Sequence, residues 1–192
     1  MNDGLRRCDW AEIRPGPDAQ TYRDYHDQEW GRPLYGQVAL FERMSLEAFQ
    51  SGLSWLIILR KRENFRRAFC GFDIEKVAGY TDADVQRLLA DEGIVRNRAK
   101  IEATISNARA VIGLGSEQDL SELLWSFAPP ARPRPVTLAE IPSATAESKA
   151  MARELKRRGF RFVGPTTVYA LMQATGMVDD HLRGCWVPPI VR

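Results

Sequence analysis

The sequence predicts a mainly α-helical fold. Apolar residues recur at helical spacing along most of the chain, alternating strand patterns are nearly absent, and no Asn-Gly or Asp-Gly turn joins two strand-like segments. The chain has 192 residues, of which 44% are hydrophobic and 27% charged, as is typical of globular proteins. We therefore expect residues 1–192 to form one compact unit built from helices.

The individual helices can be placed by their periodicity and their end signals. Residues 37–52 and 54–69 form two helical segments that are interrupted around Gly52 to Ser54. Thr81, followed three residues later by Asp84, is a capping signal for the next helix. Another helix starts near Arg98, because apolar residues follow on one face, at Ile101, Ile105, Ala108 and Ile112. Two more helices are predicted at residues 146–158 and 166–176.

Residues 128–142 interrupt this pattern with five of the eleven prolines in the chain. Proline lacks an amide donor and clashes with the preceding helical turn, so we expect no helix in this segment. We interpret it as an ordered crossing between two helical lobes, about 37–127 and 1–36 with 143–192.

Both histidines of the chain lie close to cysteines near its two ends. Cys8 and His26 are near the start, and His181 and Cys185 are near the end, with a spacing that suits two ligands from one short turn. Two cysteines and two histidines form the closed, tetrahedral ligand set of structural zinc sites. The alternative is two ordinary histidines and two unrelated buried cysteines. The use of every histidine favours a Zn²⁺ site that joins the termini.

Composition indicates the compartment and excludes a membrane partner. Three cysteines are too few for a disulfide scaffold, and no signal peptide is evident, so we expect a cytoplasmic protein. We also expect a monomer. The longest low-charge stretch, residues 44–59, is shorter than a membrane span.

Cys70 is expected to be a small buried apolar residue. The net charge is only +2, so any affinity for nucleic acid depends on where the charges lie.

Glu47 is the only charged residue between positions 44 and 59. It either faces solvent or is buried with a partner, because burying an unpaired carboxylate is costly. Apolar neighbours on several faces favour burial. Trp55 follows closely, and the absence of a side chain at Gly52 would let a flat ligand approach the backbone. Together these residues suit a pocket for a planar, amine-bearing or cationic ligand.

The segment RRGFRFVGPTT, residues 157–167, connects two predicted helices. Gly159 can end the first helix in a left-handed conformation, and Gly164 leaves the first amides of the next helix open to anions. Residues 145–165 hold six basic side chains, including Arg158 and Arg161, against two acidic ones. The segment is either a solvated basic surface with an ordinary turn or a hairpin that binds DNA phosphates independently of the base sequence.

Seven segments together resemble the Tag-type family, that of 3-methyladenine DNA glycosylase I. They are CDW (8–10), YRDYHDQEWG (22–31), LFERMSLEAFQSGLSW (40–55), LRKRENFRRAF (59–69), GIVRNRAKI (93–101), RRGFRFVGPTT (157–167) and VDDHLRGC (178–185). Their order is collinear from Cys8 to Cys185. The resemblance implies a helix-hairpin-helix glycosylase-like fold with a zinc clasp between the termini. It also implies excision of 3-methyladenine from alkylated double-stranded DNA.

The resemblance assigns roles to particular residues. It implies that Cys8, His26, His181 and Cys185 bind zinc. Glu47 would hydrogen-bond the flipped base, Tyr25 and Trp55 would stack on it or enclose it, and Trp10 and Tyr22 would line the same region. Taken alone, each of these aromatic residues is equally explained by core packing.

Asp179 and the Cys8–His26 spacer depart from the family pattern. The spacer contains Pro15 to Pro17 and is longer than the family usually shows. Asp179 lies near the position of the catalytic aspartate in the wider superfamily, which the Tag branch does without. It either stabilises an oxocarbenium-like sugar or acts as a helix cap or a partner of His181.

The reaction type also has a sequence signal. No lysine follows Gly164, so no amine is available there for a Schiff base, and we expect a monofunctional glycosylase without lyase activity. The alternative function is a non-catalytic, zinc-containing DNA-binding protein.

Overall fold

The computed structural model describes residues 4–12, 16, 18–115 and 118–189. Within these ranges the chain forms ten α-helices, two short 3₁₀ turns and no strand, which confirms the mainly α prediction. The helices are α1 (Asp9–Glu12), α2 (Asp18–Gln28), α3 (Gln37–Gln50), α4 (Trp55–Ala68), α5 (Ile74–Ala78), α6 (Asp82–Ala90), α7 (Arg98–Ile112), α8 (Leu120–Trp125), α9 (Ala146–Arg157) and α10 (Pro165–Ala174). In the described part of the chain, no helix has both the length and the apolar character needed to span a membrane.

The helices predicted from periodicity are confirmed, with small differences at their ends. Helix α3 ends at Gln50, earlier than expected, because the backbone turns at Ser51 and continues through Gly52 at φ +83°. The capping box between Thr81 and Asp84 is present at the start of α6. Helices α1, α2, α5 and α8 were not predicted. All but α2 are only four to six residues long, too short to show a clear period.

Helix α3 is buried on nearly every side. It packs against α4, α7, α8 and α10, and Leu40, Phe41 and Phe49 are fully inaccessible to solvent. Because these helices surround α3, even its polar side chains Arg43, Ser45 and Glu47 are buried. Because Glu47 belongs to this helix, its carboxylate is carried into the interior.

A second, smaller apolar cluster lies where the two ends of the chain meet. It contains Cys8, Tyr25, Trp30, Leu59, Ala174 and Leu182, and Trp10 and Trp55 pack against it. The cluster joins the N-terminal helices to α4 and to the segment after α10. The termini are thus held together by packing as well as by the polar groups described below. The division into two lobes stays a prediction.

The proline-rich segment 128–142 is ordered, but one expectation about it was wrong. Its residues Leu138–Glu140 form a single 3₁₀ turn, where we expected no helix. This turn lies between Pro135 and Pro142, in the longest interval without proline, so its amides remain available for hydrogen bonding. Arg132 and Arg134 in the same segment form ion pairs with Asp180 and Asp179 and attach the crossing to the C-terminal part.

The prediction for Cys70 was also wrong. Cys70 is exposed and lies at φ +52° in the 3₁₀ turn that follows α4. Its Sγ accepts a hydrogen bond from the Tyr80 hydroxyl at 3.2 Å. The sharp turn after α4 places the cysteine on the surface and turns Phe72 into the core instead.

Candidate active site and metal centre

A cavity of about 400 Å³ opens between α2, α3, α4 and α10. Its lining consists of Trp10, Tyr22, Tyr25, Trp30, Glu47, Gln50, Trp55, Ile141, Ala170 and Gln173. This combination of volume, aromatic walls and a few polar groups is typical of small-molecule sites. The structure therefore brings together five of the residues singled out in the sequence, Glu47, Tyr25, Trp55, Trp10 and Tyr22.

The aromatic walls present flat surfaces at angles to one another. The ring centroids of Tyr25 and Trp55 are 5.3 Å apart with an interplanar angle of 43°. Trp10 lies 6.0 Å from Tyr22 and 6.2 Å from Tyr25, centroid to centroid. The indole Nε1 of Trp55 is buried and has no hydrogen-bond partner among the described residues. The walls offer more than one ring face on which a planar ligand can stack.

Glu47 supplies the acidic group of the cavity. Only 4% of the residue is exposed, which rules out the solvent-facing alternative. Burial raises the pKa of its carboxyl group to about 7, and the charge of Arg43, one turn earlier on α3, counteracts this shift. The carboxyl group is thus poised between its two protonation states near neutral pH. A positively charged ligand would favour the carboxylate.

The structure adds lining residues that sequence reasoning missed, notably Trp30, Gln50 and Gln173. Gln173 Nε2 donates to Asp180 Oδ2 at 2.9 Å, and the Tyr169 hydroxyl donates to the same oxygen at 2.6 Å. This buried carboxylate fixes the orientation of the Gln173 amide at the cavity wall. Only the folded structure reveals this role, because Gln173 occupies an ordinary helical position in the sequence and its partner Asp180 lies in the segment after α10.

Gly52 does not belong to the lining of the cavity. It lies in the exposed turn after α3, in a left-handed conformation that favours glycine. The ammonium group of Lys100 donates to the carbonyl oxygens of Phe49, at 2.8 Å, and of Ser51. These bonds fix the turn at the end of the helix that carries Glu47.

Asp179 also lies outside the cavity lining, where we had considered a catalytic role. Its Oδ2 accepts a hydrogen bond from Arg134 Nε at 2.8 Å, and its Oδ1 accepts from the His181 amide at 3.4 Å. The ion pair with Arg134 turns the carboxylate toward the proline-rich crossing. This geometry supports the alternative, in which Asp179 is a structural partner of the His181 segment.

The predicted hairpin joins α9 to α10. Gly159 has φ +89°, and the amides of Gly159 and Phe160 donate to the carbonyl oxygens of Lys156 and Leu155, the bonding pattern of a glycine-terminated helix. Asn107 on α7 holds the hairpin from behind. Its side chain accepts from the Arg161 amide at 2.7 Å and donates to the Arg161 carbonyl oxygen at 3.1 Å.

The two arginines predicted to contact phosphate are not equivalent. Arg158 is half-buried and its Nε donates to Glu154 at 2.6 Å. Arg161 is exposed at the hairpin and forms no ion pair with any described residue. The charge of Arg161 is therefore available to an external anion, whereas Arg158 shares the Glu154 carboxylate with Arg157.

Cys8, His26, His181 and Cys185 converge, and their ligand atoms all lie within 4.8 Å of one another. The Cys185 sulfur is 3.5 Å from both His26 Nε2 and His181 Nδ1, and the Cys8 sulfur is 3.6 Å from His181 Nδ1. In a tetrahedral zinc site, bond lengths of about 2.3 Å to sulfur and about 2.0 Å to nitrogen separate the two ligand types by about 3.5 Å. The spacing of the four ligands thus fits zinc.

The second nitrogen of each histidine has a fixed partner. His26 Nδ1 lies 2.7 Å from Asp27 Oδ1, and His181 Nε2 lies 3.1 Å from the Trp30 carbonyl oxygen. Such partners hold metal-binding histidines in one tautomer and one orientation. Gly31 allows the close approach of His181, because a Cβ atom at this position would lie 2.7 Å from His181 Nε2.

Comparison with known proteins identifies the family. A family model described as methyladenine glycosylase matches residues 16–188. DNA-3-methyladenine glycosylase 1 of Escherichia coli (strain K12) is 44% identical over 188 residues, which cover 96% of this chain and 98% of that protein. DNA-3-methyladenine glycosylase of Haemophilus influenzae is 41% identical over 185 residues, which cover 93% and 96%. A crystal structure of a variant of 3-methyladenine DNA glycosylase I (TAG) in complex with 3-methyladenine superimposes with a TM-score of 0.88 at 34% identity, covering 100% of both chains. The chain belongs to the methyladenine glycosylase family.

Proposed function

We propose that this protein is a DNA repair glycosylase that hydrolyses the N-glycosidic bond of 3-methyladenine in alkylated double-stranded DNA. The observation that carries the proposal is a buried carboxylate, Glu47, in a cavity walled by aromatic rings. The names of the related proteins, and the complex of one of them with 3-methyladenine, support the same substrate.

The mechanism follows from the chemistry of the damaged base. Methylation at N3 leaves adenine cationic and its glycosidic bond weak, so little acid catalysis is needed. The enzyme extrudes the nucleotide from the duplex, at a cost of a few kcal/mol that is smaller for a damaged base. Stacking on the ring of Tyr25 or Trp55 returns about 1–3 kcal/mol. The Glu47 carboxylate accepts from the exocyclic amine and favours the cationic ring over neutral adenine.

Bond cleavage and hydrolysis then occur at the sugar. The C1′–N9 bond breaks, its electron pair neutralises the ring, and neutral 3-methyladenine leaves. Water adds to C1′ and loses a proton, which leaves an abasic site in an intact strand. Asp179 has no part in this scheme because its carboxylate is paired with Arg134.

Base release from methylated DNA is the direct test of this function. Wild-type protein should liberate 3-methyladenine from a methylated duplex, and free 3-methyladenine should change the fluorescence of the cavity tryptophans. A non-catalytic, zinc-containing DNA-binding protein would bind the duplex but release no base and respond to no free base. The buried Glu47 favours the glycosylase, because a module that only binds phosphates has no use for an acidic cavity.

A structural Zn²⁺ bound by Cys8, His26, His181 and Cys185 is part of the proposal. Four protein ligands close the coordination sphere, so the metal would stabilise the fold and leave no position for substrate or activated water. The fit of the sulfur–nitrogen distances and the partners of both histidines support this assignment. Cytoplasmic localisation and a monomeric state stay predictions.

We expect the hairpin to bind DNA phosphates, with Arg161 as its main cationic side chain. Arg161→Gln should weaken binding to all duplex sequences alike. It should also reduce the slope of the logarithm of the binding constant against the logarithm of the salt concentration by about one. Arg158→Gln is the matched control. Its effect should be smaller, because Arg158 is held in an ion pair with Glu154 whereas Arg161 has no acidic partner among the described residues. Titrations of unmodified duplexes at several salt concentrations measure both effects. A loss confined to one sequence, with the salt slope unchanged, would contradict phosphate binding.

We expect no lyase activity. Bifunctional glycosylases form a Schiff base through an amine, and no lysine follows Gly164 in this chain. The buried ammonium of Lys100 is bound to two backbone carbonyl oxygens at the end of α3 and is not available for this chemistry. Borohydride should therefore trap no covalent adduct with methylated DNA, and the strand should remain intact until it is treated with alkali. A trapped adduct would overturn this prediction.

A further inference from the structure

Arg43 is a buried cation directly behind the cavity. It lies on α3, one turn before Glu47, and only 9% of the residue is exposed. Its guanidinium carbon is 5.3 Å from the ring centroid of Tyr25 and 5.6 Å from that of Trp55. Arg43 does not belong to the lining, yet its guanidinium group lies next to both rings on which the base would stack. A cation at this place is unexpected, because it would repel the cationic base that the cavity is proposed to bind.

One consequence of its position concerns the Tyr25 hydroxyl. Arg43 Nη1 donates to the Tyr25 oxygen at 2.8 Å. Arginine has donors only, so the hydroxyl must accept this bond, and its own hydrogen remains available to a ligand in the cavity. The cavity then offers a donor at Tyr25 and an acceptor at Glu47. Adenine presents the complementary pair on one edge, with an amino group beside a ring nitrogen.

A second consequence concerns charge. Arg43 Nη2 lies 3.2 Å from Glu29 Oε2, and Arg62 contacts the same oxygen at 2.5 Å. Glu29 therefore offsets part of the combined positive charge of Arg43 and Arg62, which limits the repulsion of a cationic base. The remaining positive charge of Arg43 favours the carboxylate form of Glu47, since Arg43 opposes the rise in the Glu47 pKa that burial causes. Arg43, on the same helix, is the charged group that acts on the Glu47 carboxyl, and Tyr25 on α2 is the titratable group that interacts with it. Glu29 acts on Arg43.

We propose that Arg43 is a positioning residue for the glycosylase reaction, which holds the Tyr25 hydroxyl as a donor toward the cavity and keeps Glu47 in its carboxylate form. The proposal rests on the proposed function. Arg43 contacts no reacting atom and acts through Tyr25 and Glu47. It therefore predicts a change in the pH dependence of excision, which a purely structural role for Arg43 would leave unchanged.

The test is the pH profile of single-turnover release of 3-methyladenine from a methylated duplex, between about pH 6 and pH 9, with enzyme below saturation so that the profile reports the pKa values of the free enzyme. The Glu47 carboxyl is charged only above its pKa of about 7, so wild-type excision should rise with pH through this region. Arg43→Gln keeps a donor for Tyr25 but removes the charge, and should raise the midpoint. Its rate should be about threefold to tenfold below that of wild type near pH 6 and within about twofold near pH 9. Arg43→Lys keeps the charge and should keep the wild-type midpoint.

Glu29→Gln tests the same idea in the opposite direction. It removes the partner of Arg43, so the carboxylate of Glu47 gains stability and the midpoint should fall. This variant also serves if Arg43→Gln does not fold. Arg66→Gln is the matched control, because Arg66 pairs with Glu42 across α3 and α4 outside the cavity lining, and its midpoint should not move.

The outcomes separate the two proposals. Profiles of Arg43→Gln and Glu29→Gln that superimpose on the wild-type profile would overturn the role of Arg43 and leave the glycosylase function standing. Absence of base release by wild-type protein at every pH would overturn the function, and the role of Arg43 with it.

Discussion

Replacement of Glu47 by glutamine should lower the rate of 3-methyladenine excision by about one to two orders of magnitude. The substitution keeps size and shape but removes the charge and replaces one acceptor by an NH₂ donor. Facing the amine of the base, this donor must turn away or clash, and the cationic ring loses its counter-charge. A hydrogen bond to a charged group contributes about 1.5–3 kcal/mol, which corresponds to the expected loss in rate.

Single-turnover release of 3-methyladenine from methylated DNA, with wild-type protein alongside, measures this effect. Stability should not fall in parallel, because the buried carboxylate of Glu47 is costly to the folded state and glutamine removes that cost. Glu42→Gln is the matched control on the same helix, since Glu42 pairs with Arg66 and does not line the cavity. Its rate should change by no more than about twofold. Equal rates for Glu47→Gln and wild type would remove Glu47 from the site.

Loss of one zinc ligand should have the largest effect on stability. Purified protein should contain one Zn²⁺ per chain, and Cys185→Ser should lose it. The clasp joins the N-terminal segment to the segment after α10, so its loss should lower the free energy of unfolding by about 3 kcal/mol or more. For a chain of this length such a change corresponds to a fall in Tm of about 10 °C. Thermal unfolding with and without a chelator, together with metal analysis, measures it.

Excision kinetics distinguish this structural role from a catalytic one. At a temperature where Cys185→Ser remains folded, its single-turnover rate should stay within a few-fold of wild type, because the four ligands are not part of the cavity lining. Cys70→Ser, at the exposed cysteine outside the clasp, should retain zinc and the wild-type Tm. If wild-type protein purified without chelator contained no stoichiometric zinc, the hypothesis of a structural zinc site would be wrong.

Local sequence determined six of the ten helices of the described chain and pointed to Glu47 and to the four candidate zinc ligands. The periodicity at Ile101, Ile105 and Ala108 and the capping pair Thr81 and Asp84 are short-range signals that tertiary packing does not override here. The four candidate zinc ligands could be identified because a set of two cysteines and two histidines is chemically distinctive. Glu47 could be identified as a candidate site residue because a lone carboxylate in an apolar helical segment is unusual. These inferences need residue types and spacing alone.

The orientation of side chains depended on the tertiary structure. The sequence position of Asp179 allowed a catalytic role, but Arg134, 45 residues away, turns its carboxylate away from the cavity. Arg158 and Arg161 look alike in the sequence, and only the contact with Glu154 distinguishes them. Arg43 gives no sequence signal, since its importance comes from Tyr25 and Glu29 on a different segment. Sequence spacing indicates which groups are present, whereas the pKa and the hydrogen-bonding role of a buried group depend on partners that only the folded chain brings within a few ångströms.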